Sequence, residues 1–476
     1  MKRFIEGASR TQVALLPESL DDFVSESNPV RVVDVFVDEL NLRKLGFGGV
    51  DAAVTGRPGY HPATLLKLYI YGYLNRIQSS RRLEREAQRN VELMWLLGRL
   101  APDFKTIADF RKDNPKGIRA ACRRFVGLCR ELGLFGEAAV AIDGSKFKAV
   151  NNRDRNFTNA KLERRMKEIE ESIERYLVEM DSADRQEPAV AKAKKERLQD
   201  KITTLKARMK ELDEIREQLE ATPDKQISLT DPDARSMKTR GTGIVGYNVQ
   251  IAVETKNHLI VAHDVINEGL DRDQLSRMAK QARQAMRVEP ITAIADRGYF
   301  KSEEILECHK AGIVPLVPKS YTSGAKAEGR FDRSDFIYDR DQDEYVCPAG
   351  ERLIWRFTRT EGRLRMHKYW SSSCPQCAIK DQCTTGDYRR IARWVHEEEL
   401  EVMQARLDAA PESMRIRRRT VEHPFGTLKE WMGPTHFLTK GLERVRTEMS
   451  LNVLAYNLKR VMKLLGCEAV IAAMRA

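Results

Sequence analysis

The sequence predicts a mixed α/β protein: a helical N-terminal region followed by a mixed-sheet core that two insertions interrupt. Three observations carry this. Apolar residues at helical spacing dominate the first 135 residues, short apolar runs recur between residues 138 and 317, and helical patterns lie between those runs. The chain has 476 residues, room for about three domains. Its 42% hydrophobic and 32% charged residues suit a folded chain rather than a disordered one. No apolar stretch approaches the roughly 20 residues a membrane helix needs. The start, Met1-Lys2-Arg3-Phe4-Ile5-Glu6, is charged where a signal peptide is apolar, so the cytoplasm is the expected location. Lys and Arg total 82 against 70 Asp and Glu, a net charge of +12 that favours a polyanionic partner. No Gly-rich loop followed by Lys-Ser or Lys-Thr occurs, so no nucleotide triphosphate is expected, and no membrane partner either.

Residues 1–135 form the expected helical N-terminal domain. Asn28-Pro29 precedes a run from Val30 to Val37 whose β-branched content leaves its helix assignment open. Gly56-Arg57-Pro58-Gly59-Tyr60-His61-Pro62 is rich in turn residues, and Pro62 suits a helix start. Leu65, Leu66, Leu68, Tyr69, Tyr73 and Leu74 then give one apolar side. Arg76, Arg81, Arg82, Arg85 and Arg89 read equally as a solvated face or as a module that touches phosphates. Leu93 to Leu97 resumes the apolar pattern, and Thr106 opens a helix through Phe110.

Residues 136–155 hold the first core strand, Ala138 to Asp143. Residues 156–228 are a helical insertion. Leu162, Met166, Ile169, Ile173, Tyr176 and Met180 repeat at 4, 3, 4, 3, 4, and Leu198 to Leu219 carries the same seam, with a break around Asp181 to Pro188. An antiparallel hairpin follows, a packing spacer in preference to a partner-binding coil. Residues 229–320 continue the core, with a strand hairpin at Tyr247–Val253 and Leu259–Val265, a helix from Leu275 to Val288, a strand at Ile291–Asp296 and a final strand at Ile313–Val317. Residues 321–410 form a Cys-rich insertion. Residues 411–476 hold a last acidic motif and a terminal helix around Leu451, Leu454, Leu458 and Val461, with Lys459 and Arg460 as a basic edge.

Two buried strands finish with the same chemistry, Ile142-Asp143-Gly144 and Ala295-Asp296-Arg297-Gly298-Tyr299. A carboxylate at such a place is costly unless paired or bound to a cation, and two on neighbouring strands suit Mg²⁺. A lone strand-end Asp often only caps a turn, so the pair is the informative feature. A third carboxylate lies in Arg418-x3-Glu422-x6-Lys429, spacings of 4 and 7 that share one side of a helix. It is either a metal ligand flanked by phosphate-gripping bases or an ordinary Arg–Glu pair on a surface helix. Pro424 predicts a kink or restart just after Glu422.

These pieces resemble a bacterial insertion-sequence transposase of the DDE class. The resemblance rests on Asp143-Gly144-Ser145, Asp296-Arg297-Gly298-Tyr299 and Arg418-x3-Glu422-x6-Lys429, in that order. Thr230-Asp231-Pro232-Asp233-Ala234-Arg235, Gly246-Tyr247-Asn248-Val249-Gln250 and the helical Gly56-to-Phe110 region are also similar to segments of that group. One position departs from it: the family often has Tyr three residues before the motif Arg, and here Arg415 stands there. The resemblance implies a ribonuclease-H-like core in which Asp143, Asp296 and Glu422 hold two Mg²⁺ (or Mn²⁺) ions. It implies Arg418 and Lys429 on the phosphate backbone, with Lys146, Lys148 and Arg297 as less specific helpers. Terminal inverted repeats and target DNA would be the partners, a homodimer would synapse two ends, and the bacterial nucleoid would be its place of work. A nuclease without strand transfer, or an inactive DNA-binding relative, are the rival readings.

Eight cysteines are present. Cys122, Cys129, Cys308 and Cys467 sit in apolar or helical patterns, while Cys347, Cys374, Cys377 and Cys383 cluster in the second insertion. Four thiolates with one CxxC pair suit a structural Zn²⁺ knuckle, and the alternative is four reduced, unliganded thiols.

Overall fold

A computed structural model describes residues 19–52, 54–55, 58–151, 155–183, 188–222, 224–239, 241, 243–319, 324–433 and 436–476. The charged start at Met1–Glu6, Gly56-Arg57 and residues 184–187 of the break between the heptad helices lie outside them.

In chain order the N-terminal helices are α1 (Pro29–Asp38), α2 (Pro62–Leu74), α3 (Ser80–Ala87), α4 (Val91–Leu96), α5 (Phe104–Asp113) and α6 (Pro115–Glu131). Then come β1 (Ala139–Lys148), β2 (Asn156–Thr158), α7 (Asn159–Ala183), α8 (Pro188–Ala221), β3 (Gln226–Ser228), β4 (Arg235–Met237), β5 (Ile244–Glu254) and β6 (Ile260–Ile266). They are followed by α9 (Leu275–Met286), β7 (Ile291–Ile294), α10 (Ser302–Lys310), β8 (Ile313–Leu316), and the strands β9 (Ile337–Asp339), β10 (Glu344–Val346), β11 (Arg352–Glu361), β12 (Leu364–Trp370) and β13 (Ile391–Trp394). The chain ends with α11 (Glu397–Ala409), α12 (Ser413–Gly426), α13 (Leu442–Leu465) and α14 (Cys467–Arg475). The mixed α/β class is therefore the one observed. Among the described residues no helix is long and apolar enough to cross a membrane. Two compact units make up the chain, residues 1–137, 143–269 and 420–476 in one, and 138–142 and 270–419 in the other.

In the first unit, the valine-rich run resolves as helix α1. Asn28 caps it by accepting from Val30 N at 2.9 Å, Pro29 opens it, and Val30, Val32, Val33, Val35, Phe36 and Val37 are all buried. Packing on that scale overrides a modest β-branched penalty. The fifth helix starts earlier than the apolar pattern suggests. Asp103 accepts from Lys105 N at 2.9 Å and Thr106 N at 3.0 Å, so Thr106 lies within the first turn. Arg76, Arg81, Arg82, Arg85 and Arg89 are exposed.

Helix α13 is the spine of this unit and packs against α2, α6 and β6. Its Leu451, Leu454, Leu458 and Val461 are buried. Its polar residues stitch it to the β5–β6 hairpin. Asn457 accepts from Ile260 N at 3.0 Å and donates to Ile260 O at 2.9 Å, Tyr456 donates to His258 O at 2.8 Å, and Arg460 donates to Asn257 O at 2.7 Å. The second half of β1 runs beside β5, where Ala149 N donates to Val245 O. A Cβ at Gly246 would stand 1.9 Å from the Phe147 carbonyl oxygen, so the strands come this close only because the residue is glycine. Strands β2 and β3 pair antiparallel, and α7 and α8 rise from them. Leu162 near the start of α7 clusters with Leu212 and Leu219 near the end of α8, which makes the helical hairpin antiparallel as expected.

In the second unit, Ala139–Ala141 of β1 pair parallel with β7, and β7 pairs parallel with β8. Helices α9 and α10 pack together, and α10 packs on β8. Strand Ile313–Leu316 is not the last. The Cys-rich insertion builds a five-stranded antiparallel sheet in the order β13-β12-β11-β10-β9, around buried Phe336, Tyr345, Leu353, Tyr369 and Ile391. Strands β9, β10 and β13 are only three or four residues long, and charged residues interrupt the apolar alternation of the longer β11 and β12, so no period-2 signal reveals the sheet.

Candidate active site

The first candidate carboxylate does not end its strand. Val140, Ala141 and Ile142 are buried, Asp143 to Lys146 are half-buried, and β1 continues to Lys148. Phe147 carries the strand onward by packing against Phe425 and Phe437, with ring centroids 6.3 and 5.8 Å away. Asp143 Oδ1 accepts from Gly144 N at 2.9 Å.

Lys429 comes to this strand from 284 residues away. Its Nζ donates to Ser145 Oγ at 2.7 Å and to the Lys146 carbonyl at 3.2 Å, and it lies 4.7 Å from the Phe147 ring centre. Burial pushes its pKa below the usual lysine value, the Asp143 and Glu430 carboxylates oppose that, and Lys146 adds to it. The local chain explains the reach. Helix α12 continues through Pro424 to Gly426 without the expected restart, and a π-helical turn follows at Thr427–Trp431. Proline lacks the N–H that would bond the Thr420 carbonyl, and the wider turn then carries Leu428 into the core, with Lys429 beside it. The uniform spacing expected for Arg418, Glu422 and Lys429 therefore holds for the first two and stops before the third. Glu422 and Arg418 are exposed on α12. His423 lies 3.0 Å from the Tyr456 hydroxyl, and burial lowers its pKa.

Asp296 follows β7 and caps a short 3₁₀ turn, Arg297–Tyr299, by accepting from Gly298 N at 2.8 Å. Its partner on α12 is Arg417, whose Nη2 is 3.3 Å from Asp296 Oδ2, and not the motif Arg418. The Arg417 side chain is 14% exposed and that of Asp296 46%. Sequence reasoning passed over Arg417, although its place in the run Arg415–Arg419, about 100° round the helix from Arg418, marks it as facing elsewhere. Arg297 is exposed.

Among the described residues no three His, Cys, Asp or Glu side chains stand close enough together to hold one metal ion, which covers the three motif carboxylates and the four clustered thiols. The four thiols nonetheless share one pocket, with Phe331, Phe336 and Leu353 in its wall. Burial raises the Cys383 pKa, and the thiols of Cys374, Cys347 and Cys377 add to that.

Two further segments singled out in the sequence meet. Tyr247 donates to both oxygens of fully buried Asp231, at 2.9 Å each, and Asp231 accepts from Gly441 N at 3.0 Å. Asp233 accepts from Leu442 N at 2.8 Å. These carboxylates anchor the start of α13, so their chemistry is structural.

The chain matches the family model described as Transposase DDE domain over residues 219–458, and the model described as Transposase domain (DUF772) over residues 18–113. The chain belongs to the DDE transposases. It is thus an enzyme that acts on DNA, from a family that works with divalent metal ions. The DDE stretch contains Asp296, Arg418, Glu422 and Lys429, and neither stretch contains Asp143. No curated protein matches. A solved structure described as a cryo-EM structure of piggyBac transposase synaptic complex with hairpin DNA aligns with 94% of this chain and 79% of its own, at 8% identity and a TM-score of 0.31. That likeness is too slight to argue from.

Proposed function

We propose that this chain cuts DNA at the ends of a mobile element and joins the freed 3′ ends to target DNA, with Asp143, Asp296 and Glu422 as the metal-holding acids of a ribonuclease-H-like core. One observation carries the reading. Lys429, the last residue of the Arg418-x3-Glu422-x6-Lys429 motif, reaches back to Ser145 in the Asp143-Gly144-Ser145 motif. Two motifs far apart in sequence therefore meet in one place. The donor chemistry fits a hard divalent cation, since all three groups are carboxylates. Two Mg²⁺ (or Mn²⁺) ions, when bound, lower the pKa of an attacking water or hydroxyl and stabilise the leaving oxygen.

The chain's own residues have separate tasks in this reading. Asp143 supplies oxygens from within β1 and Asp296 from the turn that follows β7, each steadied by a backbone N–H. Glu422 supplies the third from an exposed helix position, open to substrate. Lys429 holds a positive charge beside Asp143, and Arg418, Lys146 and Arg297 grip phosphates. The N-terminal helices recognise terminal inverted repeats, and a homodimer pairs two ends, on DNA in the cytoplasm of a bacterial cell.

Cleavage and joining on end-bearing DNA, with Asp143→Ala, Asp296→Ala and Glu422→Ala beside the parent, test this. Loss of both reactions with DNA binding retained upholds it. Variants that cut like the parent remove the triad. Cutting without joining leaves a nuclease, and binding without cutting under any divalent metal leaves a DNA-binding relative.

We further propose that Cys347, Cys374, Cys377 and Cys383 hold a structural Zn²⁺ by side-chain rotation into their shared pocket. Tight turns support this: Gly350 N donates to Cys347 O at 2.8 Å, Cys377 N to Cys374 O at 3.3 Å, and Cys383 N to Lys380 O at 2.9 Å. A core of five buried side chains is small, and a metal would brace it. One zinc per chain in the purified protein, lost in Cys374→Ser/Cys377→Ser, supports the site; metal-free or disulfide-bonded chains remove it.

A further inference from the structure

The sheet of the Cys-rich insertion has two unlike faces. One covers the core of Phe336, Tyr345, Leu353, Tyr369 and Ile391. Residues directly opposite across antiparallel strands share a face. The pairs Ile354–Trp370, Phe357–Lys368 and Arg359–Met366 therefore lie together on the other one. There Ile354 is 39% exposed and Phe357 43%. The Phe357 ring meets Trp370 edge-on at 5.8 Å, and the guanidinium groups of Arg356 and Arg390 lie 5.4 and 5.5 Å from the Trp370 ring centre. Arg356 is held further by the Trp370 carbonyl at 3.3 Å and Ser372 Oγ at 2.9 Å.

Charge on this hairpin is one-sided. Over residues 352–370 the strands carry Arg352, Arg356, Arg359, Arg363, Arg365 and Lys368 against one acid, Glu361, which pairs with Lys368 at 2.8 Å. Glu344 of the neighbouring strand, opposite Ile354, pairs with Arg352 at 3.2 Å, and Arg365, opposite Thr360, belongs to the other face, so the cations beside Phe357 and Trp370 are Arg356, Arg359 and Arg390. Cations set among exposed aromatic and aliphatic side chains match a ligand with phosphates and flat apolar rings. Duplex DNA offers its phosphates but keeps base faces stacked inside, which would leave Phe357 and Ile354 without a partner. An unpaired strand offers both.

We propose that this open face binds a single-stranded segment of DNA, with bases stacked on Phe357 and phosphates held by Arg356, Arg359 and Arg390. Because Arg356 and Arg390 are already arranged on Trp370, little side-chain freedom is lost on binding. The inference rests on the DNA-processing reading above, yet the two fail separately: strand binding is measured with Asp143→Ala and no added divalent metal, so no cleavage is needed.

The test uses the full chain and a thymidine oligonucleotide carrying 5-iodouracil, followed by anisotropy and by ultraviolet crosslinking. Crosslinks should map to residues 352–370. Phe357→Ala, whose side chain is exposed, should fold normally and weaken strand binding about tenfold. Arg356→Ala/Arg390→Ala should do at least as much, while affinity for a blunt duplex stays within twofold. Unchanged strand affinity in Phe357→Ala, crosslinks confined to other regions, or equal losses for duplex and single strand would each overturn the proposal.

Discussion

Replacing Lys429 with methionine keeps much of the side chain's length and removes its charge, so it asks what the ammonium does. In the folded chain that ammonium makes two hydrogen bonds, to Ser145 Oγ at 2.7 Å and to the Lys146 carbonyl at 3.2 Å. A bond from a charged group nets about 1.5–3 kcal/mol, and the cation over the Phe147 ring adds about 0.5–1 kcal/mol. Against this stands burial, the largest influence on Lys429 and one that disfavours its charged form. Methionine recovers that cost, so a net loss of about 1–2 kcal/mol is expected, a fall of about 1–3 °C in melting temperature for a chain of this length. Catalysis should suffer more. If the charge beside Asp143 serves the reaction, end cleavage at a temperature where the variant is fully folded should drop about a hundredfold, the scale for one lost electrostatic contact in a reacting site. Both quantities come from one preparation, by calorimetry and by a gel cleavage assay. Cleavage within threefold of the parent, with the melting shift present, would show that Lys429 only braces β1 and would refute the reasoning.

His263 sets a pH dependence: burial pushes its pKa down to about 4 from an ordinary 6.5, while its Nε2 lies 2.8 Å from Ser450 Oγ. Between those values the unfolded chain takes up a proton that the folded chain does not, so stability rises with pH from 4 to 6.5, by up to about 3 kcal/mol. Urea midpoints across that range should show it, and His263→Gln should flatten the slope. Tyr247→Phe leaves the buried Asp231 carboxylate short of a donor and should cost about 1–3 kcal/mol, read by urea unfolding. Arg417→Gln removes the cation that contacts Asp296 and should lower end cleavage by at least tenfold, whereas Arg415→Gln, exposed and paired with nearby Glu412, should leave cleavage within twofold.

The helix at His61-Pro62 was legible because apolar periodicity and the proline entry agreed, whereas the valine-rich run after Asn28-Pro29 stayed open until its burial showed it to be a helix. The strand hairpin was legible because Asn257-His258 sits between two apolar runs, and His258 takes the positive φ of +57° that such a turn asks for. The position of Asp143 within its strand was not. The alternation past it runs through Ser145 and Lys146, and only the packing of Phe147 against Phe425 and Phe437, nearly 300 residues on, keeps the chain extended. The reach of Lys429 was hidden for a similar reason. Pro424 was read as a kink or restart just after Glu422, while the helix continues to Gly426 and is followed by a π turn that no local pattern announces. Motif residues were thus found by type and order, and their partners, Arg417 for Asp296 and Ser145 for Lys429, only by geometry.

The helical hairpin shows why order survives where spacing does not. Asn156, Phe157 and Thr158 pair with Ser228, Ile227 and Gln226, and Leu229 N donates to Arg155 O at 2.9 Å, so the chain returns beside the point from which it left. Strands in such a pair lie about 5 Å apart. Everything between them can lengthen without moving β1 or β5, because closing a longer loop adds only about 0.6 kcal/mol per doubling. The inserted helices also bring their own apolar cluster, Phe157 and Leu162 with Leu212 and Leu219, and so draw nothing from the core they interrupt. The stretch between β2 and β3 can therefore vary in length without displacing the strands on either side of it. The family match begins at residue 219, near the end of α8, so it takes up the chain just where the helical hairpin returns to the neck of paired strands.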